Sequence, residues 1–302
     1  MSALLVSANG IPVGTIEIEN GRWKFGYAAE WKAYALSPNF PIATGTFEDT
    51  ADARPVEWFF ENLLPEGRLR DLIASRDRID PRDTWALLIR HGQDTAGALS
   101  LIPEGFDVAT EEILVPLAKE ALQEKIEESR TRNLPLMASW EEIRMSLAGA
   151  QEKLGLRIDA SGAMFLPEGS APSTHIVKPE NASADFPHCP ANEFFCMRLA
   201  HELKVPVPAV GLLHLPEPLY VIERFDRSPL DTGAEKVTGR AFGRLHQIDL
   251  CQALGVAPSK KYESEGGLGL HHLFGVLRGT FIDRPIVAAN AVVQWVAFNY
   301  LI

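Results

Sequence analysis

Between Ser146 and Phe225 the sequence runs through an order of elements that constrains the fold more than any single residue does. It opens with "SLAGAQEKLGL" (Ser146 to Leu156), a turn of small residues that leads at once into an alternating apolar run. Two short strands are expected around Ala160 to Gly162, and then "THIVKP", a strand that ends in Lys178 ahead of a proline. Next comes a helix, "ANEFFCMRLAHELK", with Pro190 suited to its first turn and Phe194, Met197 and His201 on one face. Two further β-like runs, "AVGLLHL" and "LYVIERF", close the segment.

Residues 1–108 read as an amino-terminal β-rich subdomain. Asn9-Gly10 and Asn20-Gly21 supply the positive φ angles of hairpin turns, so the first strands form a small antiparallel sheet. In "ARPVEWFFENLLPEGRLRDLIASR", Trp58, Phe59, Leu63 and Leu64 are expected on one helical face, with a break at Pro65 and Gly67. Pro81 and Gly92 are expected to bound a helix in "RDTWALLIRHG", and "AGALSLIP" reads as a strand. Residues 109–145, including "EEILVPLAKEALQEKIEESRTR", read as a solvated helical connector. The lobe described above occupies 146–242, and 243–302 turn to helices, making the chain α+β.

Composition limits the function. At 302 residues, 46% hydrophobic and 23% charged, the chain is of ordinary soluble type and long enough for about two domains. Its net charge of -11 argues against a direct grip on nucleic-acid backbone and favours a basic partner. Three cysteines without a CxxC spacing indicate reduced thiols, neither a disulfide framework nor a zinc site. With no basic leader and no apolar run of about 18 residues, a cytoplasmic location without membrane contact is expected. HExxH and G-x-S-x-G are absent, which leaves zinc-protease and hydrolase chemistry unsupported.

The order of the central segment is that of a nucleotide-grasping kinase lobe. There a backbone turn covers a triphosphate, a strand lysine places a point charge on it, and a helix glutamate holds that lysine. Ala148, Gly149 and Ala150 let backbone approach an anion, Lys178 is the candidate cation, and Glu193 its candidate partner. Each piece alone also has an ordinary reading: a plain turn, an exposed strand-end lysine, and an acid favoured by the helix dipole.

Taken together, "FFENLLPEGRLRD", "LLIRHGQDTAGALSLIPEG", "MSLAGAQEKLGL", "STHIVKPE", "NEFFCMRLAHELKVPVP", "VIERFDR" and "RLHQIDLCQALG" resemble, in order, the blocks of the HipA family of bacterial toxin kinases. The resemblance covers nearly the whole chain. It implies a HipA-like, protein-kinase-like fold with an amino-terminal subdomain, a kinase-like N-lobe and the start of a helical C-lobe. It makes Ala148, Gly149, Ala150, Gln151, Glu152 and Lys153 the ATP-covering loop, Lys178 the phosphate-contacting lysine, and Glu223, Arg224 and Phe225 the adenine hinge. Ser146 falls at a serine that the family phosphorylates on itself, expelling the loop from the ATP site.

The implied activity is transfer of phosphate from ATP, with Mg²⁺, to a serine of an aminoacyl-tRNA synthetase, best known for the glutamyl enzyme, which arrests translation and growth. The implied partner is a HipB-like helix-turn-helix antitoxin, through which alone the toxin meets DNA. Family members continue from a segment like "QWVAFNYLI" into a loop bearing a catalytic Asp, an Asn and later a metal-binding Asp. This sequence stops at Ile302, so no catalytic residue or metal ligand is assigned in it, and as written it is expected to be inactive. Val292, Trp295, Phe298 and Ile302 form an apolar stripe on the last helix. The competing expectation is a non-catalytic antitoxin-binding or transcription-regulating module, or one half of a split toxin.

Overall fold

Local turn chemistry sets the first sheet. In the computed structural model, which describes residues 3–106, 112–132, 136, 149, 151–181, 186–229, 242–279 and 282–302, the Asn9-Gly10 turn has φ of 51° and 78° and the Asn20-Gly21 turn 53° and 76°. Both central residues of each turn are left-handed, the geometry that matches the twist of paired strands. The turns join β1 (Leu4–Ala8), β2 (Ile11–Glu19) and β3 (Arg22–Tyr27) into a meander. With β4 (Thr46–Glu48) and β5 (Leu99–Pro103) the antiparallel order becomes β4-β3-β2-β1-β5.

Helices α1 (Pro55–Glu61), α2 (Gly67–Asp77) and α3 (Thr84–His91) share a core with this sheet, in which Phe25, Phe40, Phe59, Phe60 and Leu88 are fully buried. Val56, Phe59 and Phe60 form the inner face of α1 at i, i+3 and i+4, while Trp58 is only half-buried. Leu63 and Leu64 are buried beyond the end of this short helix rather than on its face. Pro81 lies outside α3, because the Asp83 side chain caps that helix by accepting from the Ala86 N–H at 2.9 Å.

The second sheet contains β6 (Glu112–Leu117), β7 (Leu154–Ile158), β8 (Met164–Gly169), β9 (His175–Lys178), β10 (Val210–Leu215) and β11 (Glu217–Glu223), in the order β10-β11-β9-β7-β8-β6. The expected solvated connector is corrected on two counts. Its first six described residues are the edge strand β6, where Pro116, lacking an N–H, is tolerated. Its second part, α4 (Lys119–Arg132), buries Leu122 and Ile126 against Leu154, Leu156 and Val177 and is therefore a core element. Across β10 and β11 lies α5 (Cys189–Glu202), on which Phe194 and Met197 are half-buried and His201 is exposed.

A ribbon of β12 (Arg227–Pro229) and β13 (Phe242–Arg244) leads to α6 (Leu250–Leu254), two 3-10 turns at Pro258–Lys260 and Glu263–Glu265, α7 (Leu270–Leu277) and α8 (Pro285–Leu301). The helix expected from Leu245 starts only at Leu250, where Asp249 and Gln252 form a reciprocal capping box. On α8, Phe298 is buried against its surroundings, but Trp295 and Ile302 are 55% and 56% exposed, so the apolar stripe is not a buried seam among the described residues.

A buried charge network joins the two sheets. Arg224 makes a bidentate pair with Asp226, at 2.9 and 2.7 Å, and reaches the Thr95 carbonyl at 3.0 Å. Arg227 and Arg244 each lie 3.0 Å from Asp94 Oδ1, and Ser173 Oγ donates to the other oxygen at 2.9 Å. Burial alone would raise the Asp94 carboxyl, but Arg244, Arg227 and Arg224 hold it at about 2. Because this folded value lies below the unfolded one of 3.8, the contribution is fully present above about pH 4 and is lost as pH falls towards 2. Asp94→Asn strands buried guanidinium groups and is expected to cost about 3–5 kcal/mol, read as an earlier urea transition. A wild-type transition in that variant would remove the network from any structural role.

Candidate functional site

Lys178 ends β9, which lies inside the sheet between β7 and β11, and it stands opposite Tyr220. Its ammonium donates to Glu193 Oε2 at 2.7 Å and lies 5.6 Å from the Tyr220 ring centroid, a favourable position for a cation. Pro190 occupies the first turn of α5 and His188 adopts a left-handed φ of 62°, which starts the helix so that Glu193 faces the strand lysine. Both side chains are half-buried, which strengthens the pair relative to a surface one.

Lys153 immediately precedes β7 and is only 8% exposed. Its Nζ sits 2.8 Å from where a Cβ on Gly149 would stand, and Gly149 has φ of 105°, a backbone conformation that favours glycine. Desolvation, with Lys178 adding to it, lowers the Lys153 pKa from 10.5 to about 8, against the opposing pull of Glu66. Gly149 also bridges in parallel to Pro65 of the amino-terminal domain. Ser146, Ala148 and Ala150 lie outside the described residues.

The other expected site residues divide. Gln151 is half-buried beside the loop. Glu152 turns towards α4, where its carboxylate accepts from the Leu136 N–H and, at 3.3 Å, from Ser129 Oγ. Glu223 and Phe225 are exposed, Phe225 at 70%, whereas Arg224 between them is buried. The Arg224 side chain belongs to the charge network and its N–H donates to the Thr174 carbonyl at 2.9 Å, so it is an anchor and does not join the lysines. Glu223 pairs with His175, three residues along from the Tyr220–Lys178 pair, or about 10 Å.

Two residues that sequence reasoning did not single out stand at the same place. Glu66, which follows Pro65, lies 2.5 Å from Lys261 Nζ. Pro65-Glu66-Gly67 was legible only as a helix break, and Lys261 sits in a stretch without periodicity. Among the described residues no group of three or more His, Cys, Asp or Glu side chains is placed to hold a metal ion, and no helix is long and apolar enough to cross a membrane.

Comparison with known proteins matches both halves. The HipA N-terminal domain model covers residues 4–102 and the HipA-like C-terminal domain model covers 145–302. The chain is 32% identical to the serine/threonine-protein kinase toxin HipA of Shewanella oneidensis, over 91% of its own length and 62% of the relative's. It is 35% identical to the putative kinase Y4mE of Sinorhizobium fredii, over 92% and 64%. It thus spans just under two thirds of the length of these curated relatives. A solved Shewanella oneidensis complex of HipA, HipB and operator DNA superposes on 98% of this chain and 68% of the matched one, with a TM-score of 0.77 and 28% identity. With both of its domains matched, and the sheets and helices of the solved toxin reproduced along its length, the chain belongs to the HipA family.

Proposed function

We propose that the second sheet and its loop bind ATP, as part of a serine/threonine kinase toxin of this family. The observation that carries the reading is the meeting of Lys153, tucked under Gly149, with Lys178, held by Glu193. The residues suit a phosphate chain: a Cβ at Gly149 would crowd the Lys153 ammonium, and Lys178 ends the strand that pairs with the one Lys153 leads into. Lys153 and Lys178 would hold the phosphates, with Gly149, Gln151 and the rest of the loop from Ala148 covering them. The exposed Glu223 and Phe225, flanking Arg224, would bound the adenine.

ATP supplies the transferable phosphoryl group, and this chain's residues bind and orient it. The acceptor is proposed to be a serine of an aminoacyl-tRNA synthetase, the glutamyl enzyme by family resemblance, with translation and growth arrested as the outcome. The catalytic base and the Mg²⁺ ligands are assigned to the part of the relatives' length that this chain does not span. A HipB-like antitoxin is proposed as partner on the strength of the solved relative's complex and of the -11 charge, which suits a DNA-binding neighbour. Ser146 is retained as the proposed autophosphorylation site, in a cytoplasmic protein. A purely antitoxin-binding module would leave the burial of Lys153 unexplained.

Lys178→Ala is expected to weaken Mg-ATP binding about tenfold or more in titration calorimetry while its melting curve still shows a folded protein, and to abolish toxicity in a full-length form. Undiminished binding by the folded variant would sink the assignment. Lys153 gives a test of opposite sign. Its folded pKa of about 8 lies below the unfolded 10.5, so it opposes folding fully below about pH 8, and the cost fades as pH rises to 10.5. Lys153→Met should therefore stabilise the protein by about 1–3 kcal/mol in urea at pH 7 and by less at pH 10, while weakening Mg-ATP binding.

A further inference from the structure

Glu66 has no part in the roles given above, yet it stands where three regions of the chain meet. Its Oε1 lies 2.5 Å from Lys261 Nζ, and Tyr262 Oη donates to Oε2 at 3.1 Å. Lys261 also faces Asp249, 3.9 Å away. Through the adjacent Pro65, Glu66 abuts Gly149, the residue that shelters the Lys153 ammonium. Glu66 and Lys261 both act on the charge of Lys153, as do Lys178 and Glu193. Three lysines and their carboxylates therefore form one cluster contributed by the amino-terminal domain, the loop-bearing sheet and the helical carboxy-terminal region.

A carboxylate in such a cluster is a poor neighbour for a triphosphate. It repels the ligand directly and it neutralises the lysines the ligand would use. We propose that Glu66 competes with the phosphates of bound nucleotide for Lys153 and Lys261, making Lys261 a third phosphate-binding lysine and the amino-terminal domain a direct regulator of nucleotide affinity. The proposal rests on the ATP reading above. Phosphate binding draws Lys261 away from Glu66, and so weakens the contact between the amino-terminal domain and the helical carboxy-terminal region. Conversely, whatever tightens that contact lowers nucleotide affinity, by the same factor.

The geometry distinguishes this from a structural salt bridge, because Glu66→Gln and Lys261→Met both break the same pair. A purely structural pair moves both variants in one direction. Competition moves them in opposite directions. Titration calorimetry with Mg-ATP and with adenosine on the wild-type chain and both variants, with melting curves to confirm folding, reads the difference. The expected result is Mg-ATP binding about fivefold or more tighter in E66Q and about fivefold or more weaker in K261M, with adenosine affinity unchanged in both. If E66Q fails to fold, Glu66→Asp, which withdraws the carboxylate by one methylene, carries the same expectation. Shifts of the same sign, no shift, or an equal shift for adenosine would overturn the proposal while leaving the ATP reading intact. A wild-type chain that binds neither Mg-ATP nor adenosine would overturn the ATP reading, and this proposal with it.

Discussion

One buried carboxylate, Asp94, fixes how the two sheets meet. Among the described residues, it and Asp226 are the acids that pair with Arg224, Arg227 and Arg244, and all five are under 9% exposed. Such burial is costly unless the remaining hydrogen-bonding capacity is used. Here it is used closely: Ser173 Oγ, the Thr95 and Gly97 carbonyls and the Gly97 N–H fill positions that the ion pairs leave. The loop at 94–97 and the segment 224–227 are thereby held in one register, and neither can shift without leaving a buried charge unmatched.

That register decides what the chain after β11 exposes. Because Arg224 is drawn into the network, alternation turns its neighbours Glu223 and Phe225 out to solvent. The helical region is tied to the amino-terminal domain by separate polar contacts: Gln252 Nε2 donates to the Phe59 carbonyl at 2.8 Å and Ser37 Oγ to the Gln252 carbonyl at 2.9 Å. The amino-terminal domain is thus in contact with both walls of the proposed nucleotide site. Its influence on that site needs no long relay, since Pro65 already touches Gly149.

What was legible in the sequence is what local chemistry determines. Asn9-Gly10 and Asn20-Gly21 specify their hairpins within two residues, and the strand ending in Lys178 and the helix bearing Glu193 lie 15 residues apart. The strand β6 was obscured because "EILVPL" begins a Glu- and Lys-rich stretch whose composition reads as solvated helix, while its partner β8 lies on the far side of α4. The burial of Arg224 could not be read locally, since the Thr95 carbonyl it reaches is 129 residues away, and the Glu66–Lys261 pair spans 195. A residue's exposure is set by such partners, and no pattern around it announces them.

The choice of cation follows the same division between fixed and exchangeable contacts. In the joint the cations are arginines, whose planar guanidinium stays charged when buried and whose forked donors lock an orientation, as the bidentate Arg224–Asp226 pair does. Around the proposed phosphate site they are lysines, compact point charges on flexible stems that can change counter-ion with little rearrangement. The distinction matters more in a chain of net charge -11, whose overall field repels a nucleotide. Attraction must then be local, from ammonium groups in a partly desolvated setting where Coulomb interactions are strong. Burying Lys153 under Gly149 supplies that setting at the expense of stability, and the rigid arginine joint makes such an expense tolerable by keeping the surrounding walls in place.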